Sequence, residues 1–145
     1  YRYLGSIYND GSSVIRQFKM ELPMRKVRWA SPVLDVDVTN LSTTRTSYAL
    51  SASVPPGINC TVWGNGGVSH ATAGNGLIYV SCPDDTDVAP STTAAPGAQL
   101  RNAVAGSITP GFVETTSDTS QQIAARSGNS STTFRWSTVA WRPTE

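Results

Sequence analysis

The sequence contains very few of the residues from which most metal and hydrolytic sites are built. Of its 145 residues one is histidine, His70, and two are cysteine, Cys60 and Cys82. Zinc sites need several histidine or cysteine ligands, and nucleophilic hydrolysis needs a base beside the nucleophile. His70 stands in a Gly-Ser-Ala loop without a nucleophile-elbow motif. We therefore predict no cofactor and no catalytic residue, and we interpret His70 as an exposed loop histidine.

Charge is also scarce, since only 14% of the residues are charged, while serine and threonine make up about a quarter. The first 30 residues hold six basic and two acidic side chains, and the remainder holds five basic and eight acidic ones. This balance lacks the strongly basic footprint of nucleic-acid-binding domains. No apolar run approaches the roughly 18 residues of a membrane span. We expect neither a nucleic-acid partner nor a transmembrane segment.

The two cysteines each fall on the apolar side of a strand-like run. Cys60 alternates in phase with Val62, and Cys82 with Val80. This pattern predicts a buried disulfide, which would close a loop of about 22 residues and stabilise the fold by roughly 3 kcal/mol. Such a bond is typical of secreted proteins. The alternative is two unpaired buried thiols that act as small hydrophobic residues.

The segment from Val33 to Thr39 has the clearest alternation in the chain. It predicts a half-buried antiparallel strand. The side chains expected to face inward are Leu34, Val36 and Val38, and those expected to face outward are Asp35, Asp37 and Thr39. Asp35 and Asp37 would then lie about 7 Å apart on one face, a separation that an acid and base could use at a sugar bond. We interpret them instead as solvated structural residues.

Short strand-like runs separated by turn signals fill most of the chain. Two segments have features of short helices, Ala98–Ala105 and Ile123–Arg126, the latter preceded by Asp118 and Gln121 in a capping-box pattern. Eight or so strands with little helix favour an all-β fold. We predict a single-domain antiparallel β-sandwich or jelly roll over residues 1–145, with one or two short helices and one disulfide.

An aromatic residue next to amide groups is the best candidate for a ligand site. Trp63 is followed by Asn65 at the start of a glycine-rich connection, Gly64–Gly76. An aromatic face stacks on the C–H surface of a sugar, and a neighbouring amide binds its hydroxyls. The sequence therefore predicts sugar binding by Trp63 and Asn65. Core packing explains most tryptophans of sandwich folds and remains the alternative.

Three aspartates follow the second cysteine, at Asp84, Asp85 and Asp87. Clustered carboxylate oxygens are ligands for calcium, although the spacing lacks the glycine and the final glutamate of an EF-hand loop. The segment is either a calcium site or an ordinary acidic turn.

Export is expected from the predicted disulfide and from a chain that begins with tyrosine and not methionine, which suggests removal of a leader. Glycosylation sequons occur at Asn40, Asn59 and Asn129. We expect a secreted protein or one on the extracellular surface.

Several short segments resemble small exported bacterial β-proteins of unknown function. The segments are Gly5–Asn9, Leu22-Pro23, Val36–Ser42 and the strand around Trp136. In those proteins a cysteine usually precedes the proline and others end the later strands, whereas Leu22 and Trp141 occupy these positions here. The resemblance implies export and an all-β fold.

These features predict a non-enzymatic structural or adhesive subunit that assembles with copies of itself into a fibre, pilus or coat-like layer. A terminal strand, Tyr1–Tyr8 or Thr132–Trp141, would complete a neighbour's sheet by strand addition. The basic first 30 residues would then approach an acidic surface of the next copy, such as Asp84–Asp87. The alternative is a carbohydrate-binding, lectin-like module, and a third hypothesis is a hydrolase whose residues meet only in the folded chain.

Overall fold

A computed structural model describes residues 16–94 and 97–144, which form two antiparallel sheets. The strands are β1 (Phe18–Glu21), β2 (Lys26–Leu41), β3 (Thr46–Ala49), β4 (Cys60–Ser69), β5 (Leu77–Ser81), β6 (Gln99–Arg101), β7 (Thr109–Ser117), β8 (Gln122–Ser127) and β9 (Thr132–Pro143). One sheet has five strands in the order β1-β2-β9-β4-β7, and the other has four in the order β3-β8-β5-β6. The predicted all-β, antiparallel fold is confirmed.

The core lies between the two sheets. Its largest fully buried side chains include Trp136 and Phe134 from β9, Ile78 from β5 and Ile123 from β8. In β9 the buried residues alternate with more exposed neighbours, as expected where one face of a sheet packs against another, whereas β5 and β8 also bury adjacent residues. The arrangement is consistent with a β-sandwich.

Both predicted helices are wrong, because Ala98–Ala105 contains the short strand β6 followed by a turn, and Ile123–Arg126 lies within the strand β8. β6 pairs with β5 and places Leu100 in the core. β8 pairs with β3 and β5. The capping-box pattern instead closes a corner, where the Asp118 carboxylate accepts the N–H of Gln122 at 2.8 Å and the Asp118 N–H donates to the carbonyl of Gln122 at 3.0 Å. Long-range pairing overrides the weak local preference of such short segments. The described residues contain no helix able to span a membrane.

Strand β2 carries an irregularity that changes which residues face the core. Its pairing with β9 shifts register between Leu34 and Val36. A shift of one residue moves the following side chains to the other face. Leu34 and Val36 therefore lie on opposite faces: Leu34 is exposed, whereas Val33 and Val36 are buried. The expectation that Leu34 faces inward and Asp35 faces solvent is wrong.

The expected glycine-rich connection is the interior of β4. Gly64 and Gly66 face the core, where a Cβ on Gly64 would lie 2.3 Å from the Trp136 ring and one on Gly66 would lie 2.3 Å from the side chain of Leu100. These glycines allow two large side chains to lie directly against the strand backbone. The segment has few side chains because its neighbours fill the space.

The last strand is not an edge. β9 lies between β2 and β4 and pairs with both. A strand with both sides paired has no free backbone groups to offer a neighbouring molecule. The prediction that Thr132–Trp141 completes a neighbour's sheet is therefore wrong. The other predicted donor, Tyr1–Tyr8, lies outside the described residues.

The disulfide prediction is also wrong. Cys60 begins β4 in the five-stranded sheet, and Cys82 follows β5 in the four-stranded sheet. Both are buried, and they are not at disulfide distance. Burial raises the pKa of the Cys60 thiol to about 11 and also raises the pKa of the Cys82 thiol. The residues are two free thiols in opposite layers, which was the alternative interpretation of the pattern.

Candidate functional site

The outer face of the five-stranded sheet carries the predicted sugar-binding residues. Along β4, Val62 and Val68 are buried in the core, whereas Trp63 is half-buried and Asn65 is exposed. Cross-strand pairing places Asn65 between Phe112 of β7 and Ser137 of β9. The structure thus brings Trp63 and Asn65 to one face, as expected, but on a strand and not in a loop.

The Trp63 side chain is held by residues of three other strands. Its indole N–H donates to a carboxylate oxygen of Glu114 at 2.6 Å. The ammonium of Lys26 lies 4.5 Å from the ring centroid, and the guanidinium of Arg142 lies 5.6 Å from it. Cations at these distances are attracted to the electron-rich ring. The aromatic ring predicted as a sugar platform therefore has two cations over it.

The charges around Trp63 are unevenly paired. Glu21 of β1 lies 3.9 Å from Lys26 and 4.0 Å from Arg28, both at the limit of ion-pair contact. No carboxylate of the described residues lies within ion-pair distance of Arg142. We call Lys26, Arg28, Trp63 and Arg142 the basic aromatic cluster. Its three cations are accompanied by two carboxylates, Glu21, shared by Lys26 and Arg28, and Glu114, bound to the indole N–H of Trp63.

At the opposite end of the same face, a cation is paired with a carboxylate. Arg135 of β9 forms an ion pair with Asp37 of β2, with Nε 2.9 Å from Oδ1. The two residues are direct cross-strand partners. Asp37 is exposed, as predicted, but it is paired. Between the two ends the face presents apolar side chains, Leu34 with 57% of its area exposed and Phe112 with 65%.

Strand β7 forms an edge of this sheet and, within the described part of the chain, pairs only with β4. Its partner pairs include Gly67 with Pro110. Because proline has no N–H, this pair cannot exchange both backbone hydrogen bonds, so the backbone groups of Pro110 point away from β4. By alternation along the strand, the same holds for Phe112, Glu114 and Thr116. The edge thus offers unpaired backbone groups on the side where Phe112 is exposed.

Asp35 of β2 is a carboxylate that turns toward the interior between the sheets. Its Oδ2 accepts hydrogen bonds from the hydroxyls of Ser53 at 2.7 Å and Thr138 at 2.5 Å. Thr138 in turn accepts the indole N–H of Trp136 at 3.0 Å. Burial raises the pKa of Asp35, although these hydrogen bonds and the charge of Arg16 act in the opposite direction. The residue anchors a polar network between strands, so its interpretation as a solvated residue is wrong.

His70 joins loops at one end of the sandwich. Its Nδ1 accepts the N–H of Thr72 at 2.9 Å, and its Nε2 lies 3.2 Å from the carbonyl of Ser130. Nearby, the buried Asn102 accepts the N–H of Gly76 at 2.7 Å. Both ring nitrogens of His70 contact backbone groups, and the ring is half-buried. His70 therefore connects the loop at Thr72 to the loop at Ser130.

The acidic turn is stabilised from within the chain. Asp85 accepts the N–H of Cys82 at 3.1 Å, and Asp87 forms an ion pair with Arg126 at 2.9 Å. Arg45 donates to the carbonyls of Pro83, at 2.9 Å, and Asp85. Among the residues with described positions, no group of three or more His, Cys, Asp or Glu is placed to hold a metal. The geometry therefore adds no support for calcium binding at Asp84, Asp85 and Asp87.

The three sequons differ in exposure. Asn40 and Asn129 are exposed and Asn59 is half-buried. The Asn129 amide donates to the carbonyl of Asn75 at 2.7 Å. Glycosylation at these three sequons stays a prediction from the sequence.

The sequence did not indicate the basic aromatic cluster. Lys26 and Arg142 lie near opposite ends of the chain, and they meet at Trp63 only because β9 inserts between β2 and β4. Single-sequence patterns carry no information on this order of strands. The only available sign was the excess of basic residues in the first 30 positions.

Comparisons with known proteins identify no family for this chain. A scan against family models, a search of curated proteins and a search of solved structures each found no match. The functional hypothesis therefore depends on the outer face of the five-stranded sheet and on its edge.

Proposed function

We propose that this chain is an exported, non-enzymatic structural or adhesive subunit that self-assembles into a fibre, pilus or coat-like layer. The observation that carries the proposal is the edge strand β7. Nine residues form this edge, and an exposed edge of that length is a template for pairing with another strand. Assembly through β7 would extend the five-stranded sheet from one copy to the next.

Phe112 supports the same contact. Its side chain is 65% exposed on the outer face, and its backbone groups point away from β4. Burial of a phenylalanine against a second copy stabilises an interface by about 1.5–3 kcal/mol. Pro110 and Glu114 on the same strand limit indiscriminate pairing, since prolines and charges are common on protected edges. The strand is thus suited to one specific partner and not to general aggregation.

Neither the acidic turn nor the two cysteines support the proposal. The carboxylate of Asp87 is paired within the chain and that of Asp85 accepts a backbone N–H, so the acidic turn is less available to a neighbouring copy. The two cysteines are free and no longer argue for export. Export is proposed from the composition, which is low in charge and rich in hydroxyl side chains.

Sedimentation of the full chain over a range of concentrations tests this proposal, together with electron microscopy of the concentrated protein. We expect concentration-dependent association and regular particles. Phe112→Ser removes the ring, and Thr116→Pro removes one N–H on the free side of β7. Each should weaken association by about tenfold, because about 1.4 kcal/mol corresponds to that factor.

Leu34→Ser is the matched control, because Leu34 is similarly exposed on the same face but lies on β2, away from the edge. It should leave association unchanged. A chain that remains monomeric at all concentrations would contradict the proposal. So would association that is equal in the wild type and in both β7 variants.

A carbohydrate-binding module is the second candidate. The observation in its favour is the row formed by Asn65, Ser137 and Phe112 next to Trp63 on one face. Amide and hydroxyl groups beside an aromatic surface are the usual constituents of sugar sites. A glycan array with the Asn65→Ala variant as its comparison tests this candidate.

A further inference from the structure

We propose that the basic aromatic cluster binds an acidic polysaccharide that carries carboxylate or sulfate groups along its length. Lys26, Arg28 and Arg142 come from the neighbouring strands β2 and β9. Lys26 and Arg142 lie over an indole whose N–H is bound by Glu114. Arg28 shares Glu21 with Lys26. The set presents three cations that can bind an anion, and two of them are held over the Trp63 ring. The proposal takes its class of ligand from the carbohydrate-binding candidate and is independent of self-assembly.

The positive charge of the cluster is only partly neutralised within the described chain, because three cations face the two carboxylates Glu21 and Glu114. Lys26 and Arg142 both lie on the Trp63 ring, so their charges are at most about 10 Å apart. Like charges on adjacent strands are unfavourable. Glu21 is shared between Lys26 and Arg28 at the limit of contact, and Arg142 has no described carboxylate partner. A bound anion would replace this repulsion by attraction.

The shape of the positive area favours a single polymer chain. Glu21 on β1 and Glu114 on β7 border it on both sides, and the strands between them are spaced about 4.8 Å apart. A single polysaccharide strand that runs along β2, β9 and β4 fits between these two carboxylates. Along the strands the area continues into Asn65 and Ser137, whose side chains bind hydroxyl groups.

Isothermal titration of the full chain with polygalacturonate, dextran sulfate and neutral dextran tests the proposal. We expect binding to both acidic polymers, weaker at higher salt because screening reduces the attraction, and none to neutral dextran. Arg142→Gln should weaken binding by about tenfold, the effect of losing one charge-assisted hydrogen bond. Arg135→Gln is the matched control, since Arg135 lies on the same strand and is already paired with Asp37. It should change the affinity by less than about twofold.

A gain-of-affinity variant excludes misfolding as the cause. Glu21→Gln removes the carboxylate that competes for Lys26 and Arg28, and it should tighten binding by about threefold. Unchanged affinity in both Arg142→Gln and Glu21→Gln would overturn the proposal. So would equal binding of neutral dextran, which would indicate a neutral sugar site. Binding of an acidic polymer by a monomeric chain would support this proposal while contradicting self-assembly.

A membrane surface is the competing partner. Leu22 and Met24, in the turn that precedes Lys26, have 76% and 56% of their areas exposed, and apolar tips next to cations bind anionic lipid. The probe is a phosphatidylserine vesicle. Binding to these vesicles that is lost in Leu22→Ser, with no binding to either acidic polymer, would overturn the polysaccharide assignment.

Discussion

The inner and outer faces of the five-stranded sheet use the same residue types for different purposes. On the inner face Trp136 lies directly on Gly64 and donates to Thr138, which donates to Asp35. On the outer face cationic side chains lie over Trp63, and Asp37 forms a surface ion pair with Arg135. Inner contacts are close-packed and difficult to replace, whereas outer contacts are individually weak. Stability should therefore depend on the inner face and binding on the outer face.

The largest difference in stability between the two faces is expected for glycine substitutions within β4. In Gly64→Ala the new Cβ would lie 2.3 Å from the rigid Trp136 ring, so the core must shift. Overpacking of this kind costs about 3 kcal/mol at the upper end of its usual range. Urea denaturation followed by tryptophan fluorescence measures the loss.

Gly67→Ala is the matched substitution on the outer face of the same strand. Its Cβ would meet Ile108 at 3.1 Å and Arg135 at 3.8 Å, contacts that exposed side chains can relieve. We expect a loss below about 1 kcal/mol. Equal losses of stability for the two variants would contradict the conclusion that the inner face of the five-stranded sheet is packed more tightly than its outer face.

Substitution of the two aspartates of β2, Asp35 and Asp37, should give a smaller difference in stability. Asp35→Ala leaves the hydroxyls of Ser53 and Thr138 without their acceptor, and a buried group left unpaired costs about 1–3 kcal/mol. Asp37→Ala breaks an exposed ion pair with Arg135, which contributes about 0–1 kcal/mol. Chemical denaturation of both variants at neutral pH checks the order. A greater loss in the Asp37 variant would contradict it.

The buried position of Asp35 also predicts a dependence on pH. Burial raises its pKa from the ordinary value of 3.8, so the folded state holds this proton more tightly than the unfolded state does. The resulting stabilisation is present below pH 3.8 and is lost as the pH rises through the folded-state pKa. Between pH 3 and 7, wild type should therefore lose stability relative to Asp35→Asn. Parallel denaturation curves for the two proteins across this range would disprove the prediction.

The fold class could be predicted from the sequence because it depends on local alternation. The contacts set by pairing between distant strands could not be predicted. The sequence predicts an all-β sandwich, because period-two patterns with turn residues between them are typical of strands. The inward turn of Asp35 depends on a register shift against β9, and the glycines of β4 depend on Trp136 and Leu100. The cations at Trp63 depend on the order of strands in the sheet. None of these partners is close in sequence, so no local pattern indicates them.

The smallest expected effect concerns the cysteines, one in each sheet. Since Cys60 and Cys82 are free, adding a reductant should leave the free energy of unfolding unchanged, whereas breaking a native disulfide costs about 2–5 kcal/mol. Alkylation in denaturant should label both thiols. In the folded protein labelling should be slow, because both thiols are buried and burial raises the pKa of Cys60 to about 11, which keeps it protonated at pH 8. A linked peptide in the non-reduced mass spectrum, or a stability that falls with reductant, would contradict the separation of the two cysteines into opposite layers.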